Sequence, residues 1–226
     1  MGKKLNNSVS LFMFLFISVT LYAQKDVAQF LGIPVDGFKP EMIQKLKSKG
    51  FTSNPYKKDV LVGEFNGTNV NIFILTNNNK VYRVAVVDAN STSEENIKIR
   101  FNNLIQQFQN NKNYSTLPDT ILSKYIIPEH EDISYEISVN HKRYDAVFYQ
   151  KSAIVDSLTK EQEYLISKDT LNDKENERAK ELLVEIFKES WVLHKQVWFM
   201  ITEDYGKYSI TIFYENGYNK ANGEDL

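Results

Sequence analysis

Two turn signals constrain this chain more than any other feature. Asn66-Gly67 and Asn77-Asn78-Asn79 cut residues 59–88 into three short runs. A two-residue hairpin turn of type I′ needs positive φ at both central positions, and Asn and Gly tolerate that best. In the second run Val70, Ile72 and Ile74 alternate with Asn69, Asn71 and Phe73, which gives the strand one apolar face. In the third, Tyr82, Val84 and Val86 alternate with Val81, Arg83, Ala85 and Val87. Both faces of this strand are apolar, so it should be central or covered on both sides. The expected element is a three-strand antiparallel meander, which must bury a face against another layer.

The neighbouring segments can supply that layer. Thr92 and Glu95 have capping-box spacing, and Ile97, Phe101, Leu104, Ile105 and Phe108 fall on one helical face opposite Asn103 and Gln107. Before the meander, an extended lead over residues 24–39 carries Phe30, Leu31, Ile33 and Val35. Pro40 then opens a short helix with Ile43 and Leu46 on its apolar side, Lys45, Lys47 and Lys49 crowd its last turns, and Gly50 stops it.

Beyond the meander the pattern predicts a polar connector over residues 110–128, then a second hairpin. Its first strand has Ile133, Tyr135, Ile137 and Val139 on one face, and its second has Tyr144, Ala146 and Phe148. Residues 151–173 are ambiguous, with a short helix near 160–166. A helix over 174–190 is expected to bury Ala179, Leu182, Leu183, Ile186 and Phe187. A closing hairpin pairs the run holding Val197, Phe199 and Ile201 with that holding Tyr208, Ile210, Ile212 and Tyr214, through a turn at Asp204-Tyr205-Gly206. The fold class is therefore α+β, an antiparallel sheet of meander and hairpins covered on one face by helices, in the order α-βββ-α-ββ-α-ββ.

The first 23 residues carry an address. Lys3 and Lys4 precede an apolar run over residues 9–21, and Ala23 offers a small residue before Gln24, the pattern of a cleaved secretory signal peptide. Interruption by Ser10, Ser18 and Thr20 argues against a spanning helix. No cysteine follows the cut, which removes a lipoprotein tether. The expectation is a periplasmic or secreted protein with no integral membrane segment after cleavage, residues 24–226 forming one α+β domain. Sub-units 24–112 and 129–226 would be joined by the polar connector.

With no cysteine in the whole chain, thiol nucleophiles, thiolate metal sites and disulfides are excluded. A formal net charge of −2 does not suit a nucleic-acid binder.

Several phrases resemble uncharacterised secreted or periplasmic α+β proteins of Gram-negative anaerobic gut bacteria: Gly32-Ile33-Pro34-Val35-Asp36-Gly37, Gly63-Glu64-Phe65-Asn66-Gly67 and Asn222-Gly223-Glu224-Asp225-Leu226. The helix-plus-meander units also look like those of outer-membrane assembly lipoproteins and the β-lactamase-inhibitor protein, which act by binding other proteins. Asp119-Thr120-Ile121, Asp156-Ser157-Leu158 and Asp169-Thr170-Leu171 resemble the acceptor of the O-glycosylation system of such bacteria, which would place sugars on Thr120, Ser157 and Thr170 in loops.

Residues for catalysis are sparse. The three histidines, His130, His141 and His194, show no paired spacing on a helix, so neither a metal nor another cofactor is expected. His130 lies in the charged run Glu129-His130-Glu131-Asp132, which reads as a solvated loop. Separation in space and not in sequence defines a carboxylate pair; Glu203, Asp204 and Glu215 near the last hairpin are the best-placed candidates for one, and each reads first as an ordinary strand-end acid.

Aromatic residues are more informative. With Val197, Phe199, Ile201, Ile210 and Ile212 facing the core, alternation turns Trp198, Met200, Thr211 and Phe213 the other way, with Tyr205 at the turn. A face of this kind meets another element of the chain or a partner. The sequence therefore points to an exported, non-enzymatic binding module for protein or peptide, with these five residues as candidate contacts. The alternative is a secreted hydrolase or glycan-binding protein using carboxylates and the aromatic face. The oligomeric state is not legible.

Overall fold

A computed structural model describes residues 26–168, 170–191, 195–221 and 223; the leader and His194 lie outside these. The protein is α+β, with six α-helices among the described residues, a seven-stranded antiparallel sheet and a two-stranded ribbon.

The lead forms the ribbon, β1 (Gln29–Phe30) and β2 (Ile33–Pro34), turning at Leu31-Gly32. Helix α1 (Lys39–Ser48) follows with Pro40 in its first turn and buries Met42 and Leu46. Strand β3 (Thr52–Ser53) leads into the meander β4 (Val60–Phe65), β5 (Thr68–Asn77) and β6 (Lys80–Asp88). Asn66 and Gly67 both have positive φ, as do Asn78 and Asn79. Helix α2 (Glu94–Asn110) buries the stripe Ile97, Phe101, Leu104, Ile105 and Phe108. Its cap is Ser93 and not Thr92: the Ser93 side chain accepts from the Asn96 amide, while the Thr92 backbone is engaged with Tyr208.

The sheet order is β3-β4-β5-β6-β9-β8-β7, where β7 is Asp145–Tyr149, β8 is Gln196–Asp204 and β9 is Lys207–Glu215. Strand β6 lies at its centre, between β5 and β9, as its two apolar faces require. Strict alternation fails at one point. The register shifts between Leu75 and Thr76, opposite Tyr82, so Val81 turns to the same buried face as Val84 and Val86.

Three expectations are corrected. Residues Ile133–Ser138 form a helix, α4, capped by the Asp132 side chain; β7 therefore pairs with β8 and not with this segment. Alternating apolar residues over so short a run fit one helical turn and a half as well as a strand, and the Asp132 cap decides. The connector contains a further helix, α3 (Asp119–Tyr125). Residues Ala153–Ile166 form a full helix, α5, which pairs with α6 (Asp173–Trp191) as a helical hairpin inserted between β7 and β8. The order is thus ββ-α-ββββ-ααα-β-αα-ββ.

Of the stripe assigned to α6, only Leu182 is buried; Leu183 and Phe187 are 56% and 59% exposed. A two-helix hairpin gives each helix a single narrow partner, and ion pairs from Arg178 to Glu161 and Lys168 to Glu175 stitch the two together.

Residues of six strands, β4 to β9, meet α1 and α2 in one hydrophobic cluster that includes Ile72, Val86, Phe101, Phe148, Phe199 and Ile212.

Candidate functional site

The opposite face of the sheet carries the candidate residues, and strand register places them. The β8–β9 turn is Tyr205-Gly206, with φ of 49° and 70°, and a two-residue turn fixes the pairing outward from Asp204↔Lys207. Six steps out, Trp198 stands opposite Phe213; Met200 stands opposite Thr211. All four residues share the face away from α2, and each is partly exposed. Tyr205 is separate from them, at the hairpin tip, 99% exposed.

The same register continues beyond the hairpin. Phe213 pairs with Ala85 on β6, Ala85 with Phe73 on β5 and Phe73 with Val60 on β4; on the other side Trp198 pairs with Val147 on β7. One apolar row thus crosses six strands, roughly 24 Å at the usual strand spacing. Next to it runs a more polar row containing Asn71, Thr211 and Asp145.

The row is stiffest at its centre. Trp198 and Phe213 stack with ring centroids 4.2 Å apart and planes at 22°. The Arg83 guanidinium lies 5.0 Å from the Phe213 centroid and 5.9 Å from that of Trp198. Glu215 ties these together: its Oε1 accepts from Arg83 Nη2 at 2.5 Å and from Trp198 Nε1 at 2.8 Å, and Lys220 Nζ lies 3.5 Å from its Oε2. Arg83 Nε is buried without a hydrogen-bond partner among the described residues. The indole orientation is therefore set by a carboxylate that is itself held by two cations, a preorganised arrangement.

The carboxylate candidates do not assemble. Glu215 is 4% exposed and fully engaged, while Glu203 sits at the far end of the hairpin, where it accepts from the Gly206 amide at 2.6 Å. Val197 pairs with Tyr214 and Glu203 lies six residues further along β8, so the two acids are roughly 20 Å apart, well beyond the ~5–9.5 Å of a glycosidase pair. His130 is in an exposed loop and His141 in an exposed turn with φ of 54°. No group of three His, Cys, Asp or Glu among the described residues is placed to hold a metal ion.

Thr120, Ser157 and Thr170 are all exposed. Only Thr170 lies in a loop; Thr120 is in the first turn of α3 and Ser157 is on α5. Among the described residues no helix is long and apolar enough to cross a membrane.

The sequence reading takes Glu215 for a carboxylate-pair candidate and not for the group that orients Trp198, and it misses Arg83 beside it and Phe73, Ala85 and Val147, which extend the row. The turn residues contain the Trp198–Phe213 pairing, but the contact between β6 and β9 has no local signal. No family model, curated protein or solved structure matches this chain.

Proposed function

We propose that the protein is an exported, non-enzymatic binding module whose open sheet face receives a protein or peptide partner. What supports this reading is the stacked Trp198–Phe213 pair, partly exposed, fixed by Glu215 and flanked by Arg83. Trp and Arg are enriched in binding hot spots, Trp because it offers large contact area with few rotamers to immobilise and Arg because its planar guanidinium both stacks and donates several hydrogen bonds, and a polar border around an apolar centre excludes water from it. Export rests on the charged start, the apolar run and Ala23.

Selection of displayed random peptides on the mature protein tests the reading. Enriched peptides should lose about tenfold or more in affinity for a Trp198→Ala, Phe213→Ala variant that keeps the same melting temperature. Peptides that bind both proteins equally would remove the open face as the site. Glycan-array binding lost in the same variant, without peptide binding, would replace the partner class by a glycan.

A further inference from the structure

We infer a second binding site, on the helix side of the sheet, for a small aromatic molecule of no net charge. A cavity of about 590 Å³ opens between the end of α1, the β4–β5 hairpin and the C-terminal half of α2. That size is within the roughly 300–1,000 Å³ of small-molecule sites.

Five rings line it, Phe51, Phe65, Phe108, Tyr114 and Tyr214, with Leu31, Leu104 and Ile212 beside them. The rings hold one another in place from behind. Phe30 packs on Phe65 at 5.1 Å and on Tyr214 at 4.9 Å, and Phe108 meets Tyr114 edge-on at 4.9 Å and 85°. Phe51 is fixed by the absence of a side chain at Gly63, where a Cβ would stand 2.6 Å from the ring. Such walls offer an aromatic guest offset-stacked and edge contacts in addition to area burial. A saturated chain gains only the burial.

Polar groups lie at two levels. At the base stand the Tyr114 and Tyr214 hydroxyls, and Gln150 Nε2 donates to Tyr114 Oη at 3.1 Å. Burial raises the pKa of both tyrosines, so the base stays uncharged. At the mouth stand Lys49 and Glu64, neither in an ion pair with another described residue, together with the amides of Asn66, Gln107 and Asn111. One cation and one anion at the same opening cancel, so a charged ligand gains no net attraction there to offset the loss of its hydration among the rings. The amides suit a neutral hydrogen-bonding group on the ring. The open-face reading plays no part in this site.

Fluorescence titration of the mature protein with 1-aminoanthracene, a neutral aromatic amine, tests the proposal. The expected result is saturable binding at one site, displaced by indole, with decanoate and anilinonaphthalene sulfonate at least about tenfold weaker. Gln107→Trp, which fills the mouth from an exposed position on α2, should weaken binding about tenfold or more. Should that variant fail to fold, Glu64→Trp on β4 fills the same mouth. Trp198→Ala, on the opposite face, should leave the affinity unchanged. Absence of saturable binding, stronger competition by decanoate than by indole, or loss of binding in Trp198→Ala but not in the filled variants would overturn the assignment.

Discussion

The Asp26 carboxylate takes the Lys195 ammonium at 2.5 Å and, through its other oxygen, the Ser152 hydroxyl at 2.5 Å. Ser152 caps α5 and Lys195 directly precedes β8, so one residue at the start of the described chain joins both feet of the inserted helical hairpin. Beside it, Gln150 exchanges two hydrogen bonds of 2.7 Å with the Gln29 backbone. The lead is thus a clasp that sets where α5 and α6 leave the sheet.

Asp26→Ala should therefore loosen the hairpin more than the sheet. Both side chains of the ion pair are largely buried, at 20% and 14% exposure, and removal of one partner leaves the Lys195 charge without its counterpart. The expected loss is about 1–3 kcal/mol by urea denaturation, with faster proteolysis in the turn between α5 and α6. An unchanged midpoint and an unchanged cleavage rate would mean that the clasp contributes nothing.

The clasp begins two residues after the expected cut. Intact mass of protein recovered from the periplasm or medium should correspond to a chain starting at Gln24. A mass that includes residues 1–23 would contradict cleavage.

Phe101 and Gln107 test the orientation of α2. Phe101 is fully buried and meets Phe199 at 5.0 Å, whereas Gln107 is exposed and its side chain accepts a hydrogen bond from Asn66. Phe101→Ala should cost about 3–5 kcal/mol through lost burial and a cavity, and Gln107→Ala under about 0.5 kcal/mol. Equal urea midpoints would require a different face of α2 to meet the sheet.

The parts legible in the sequence are those fixed locally. Asn66-Gly67, Asn77 to Asn79 and Tyr205-Gly206 set three hairpin registers, and the α2 stripe follows a helical period over about three turns. Ile133 to Ser138 misleads because six residues cannot separate period 2 from 3.6. Val81 misleads because a bulge at Tyr82 shifts the alternation. The α6 stripe misleads because an apolar face shows that a partner exists, not how wide it is. At the candidate site, the Trp198–Phe213 pair is a matter of counting back from the turn. The Arg83–Glu215 contact spans 132 residues and depends on β6 meeting β9, which no local pattern encodes.

Glu131 should give the protein an acid-sensitive element. Burial alone would raise its pKa, but hydrogen bonds from Lys142 and Tyr144, with the charges of Lys142 and His130, outweigh burial and hold it below the ordinary 4.5. A carboxyl depressed on folding contributes stability that is full above the unfolded value and lost as pH falls through the folded one. Glu131→Gln should thus cost about 1–2 kcal/mol at pH 7, with the difference from the parent shrinking below pH 4.5. Melting temperatures of both proteins across this range are the measurement, and a constant difference would show that Glu131 is not the titrating group.

Arg83 and Glu215 should behave as a pair whose parts are not additive. Glu215 has 6% of its side chain exposed, and Arg83→Met takes away its shortest cationic contact. An under-compensated buried carboxylate costs about 3–5 kcal/mol; Lys220, at 3.5 Å, offsets part of this, so a loss of about 2–4 kcal/mol is expected. Adding Glu215→Gln removes the stranded charge while keeping an acceptor for Trp198 Nε1, and the double variant should be more stable than Arg83→Met alone. Denaturation of the four proteins at pH 7 decides the matter. Additive losses would mean that Arg83 acts through its packing on Phe213 alone, and that the Trp198 platform does not depend on the ion pair beneath it.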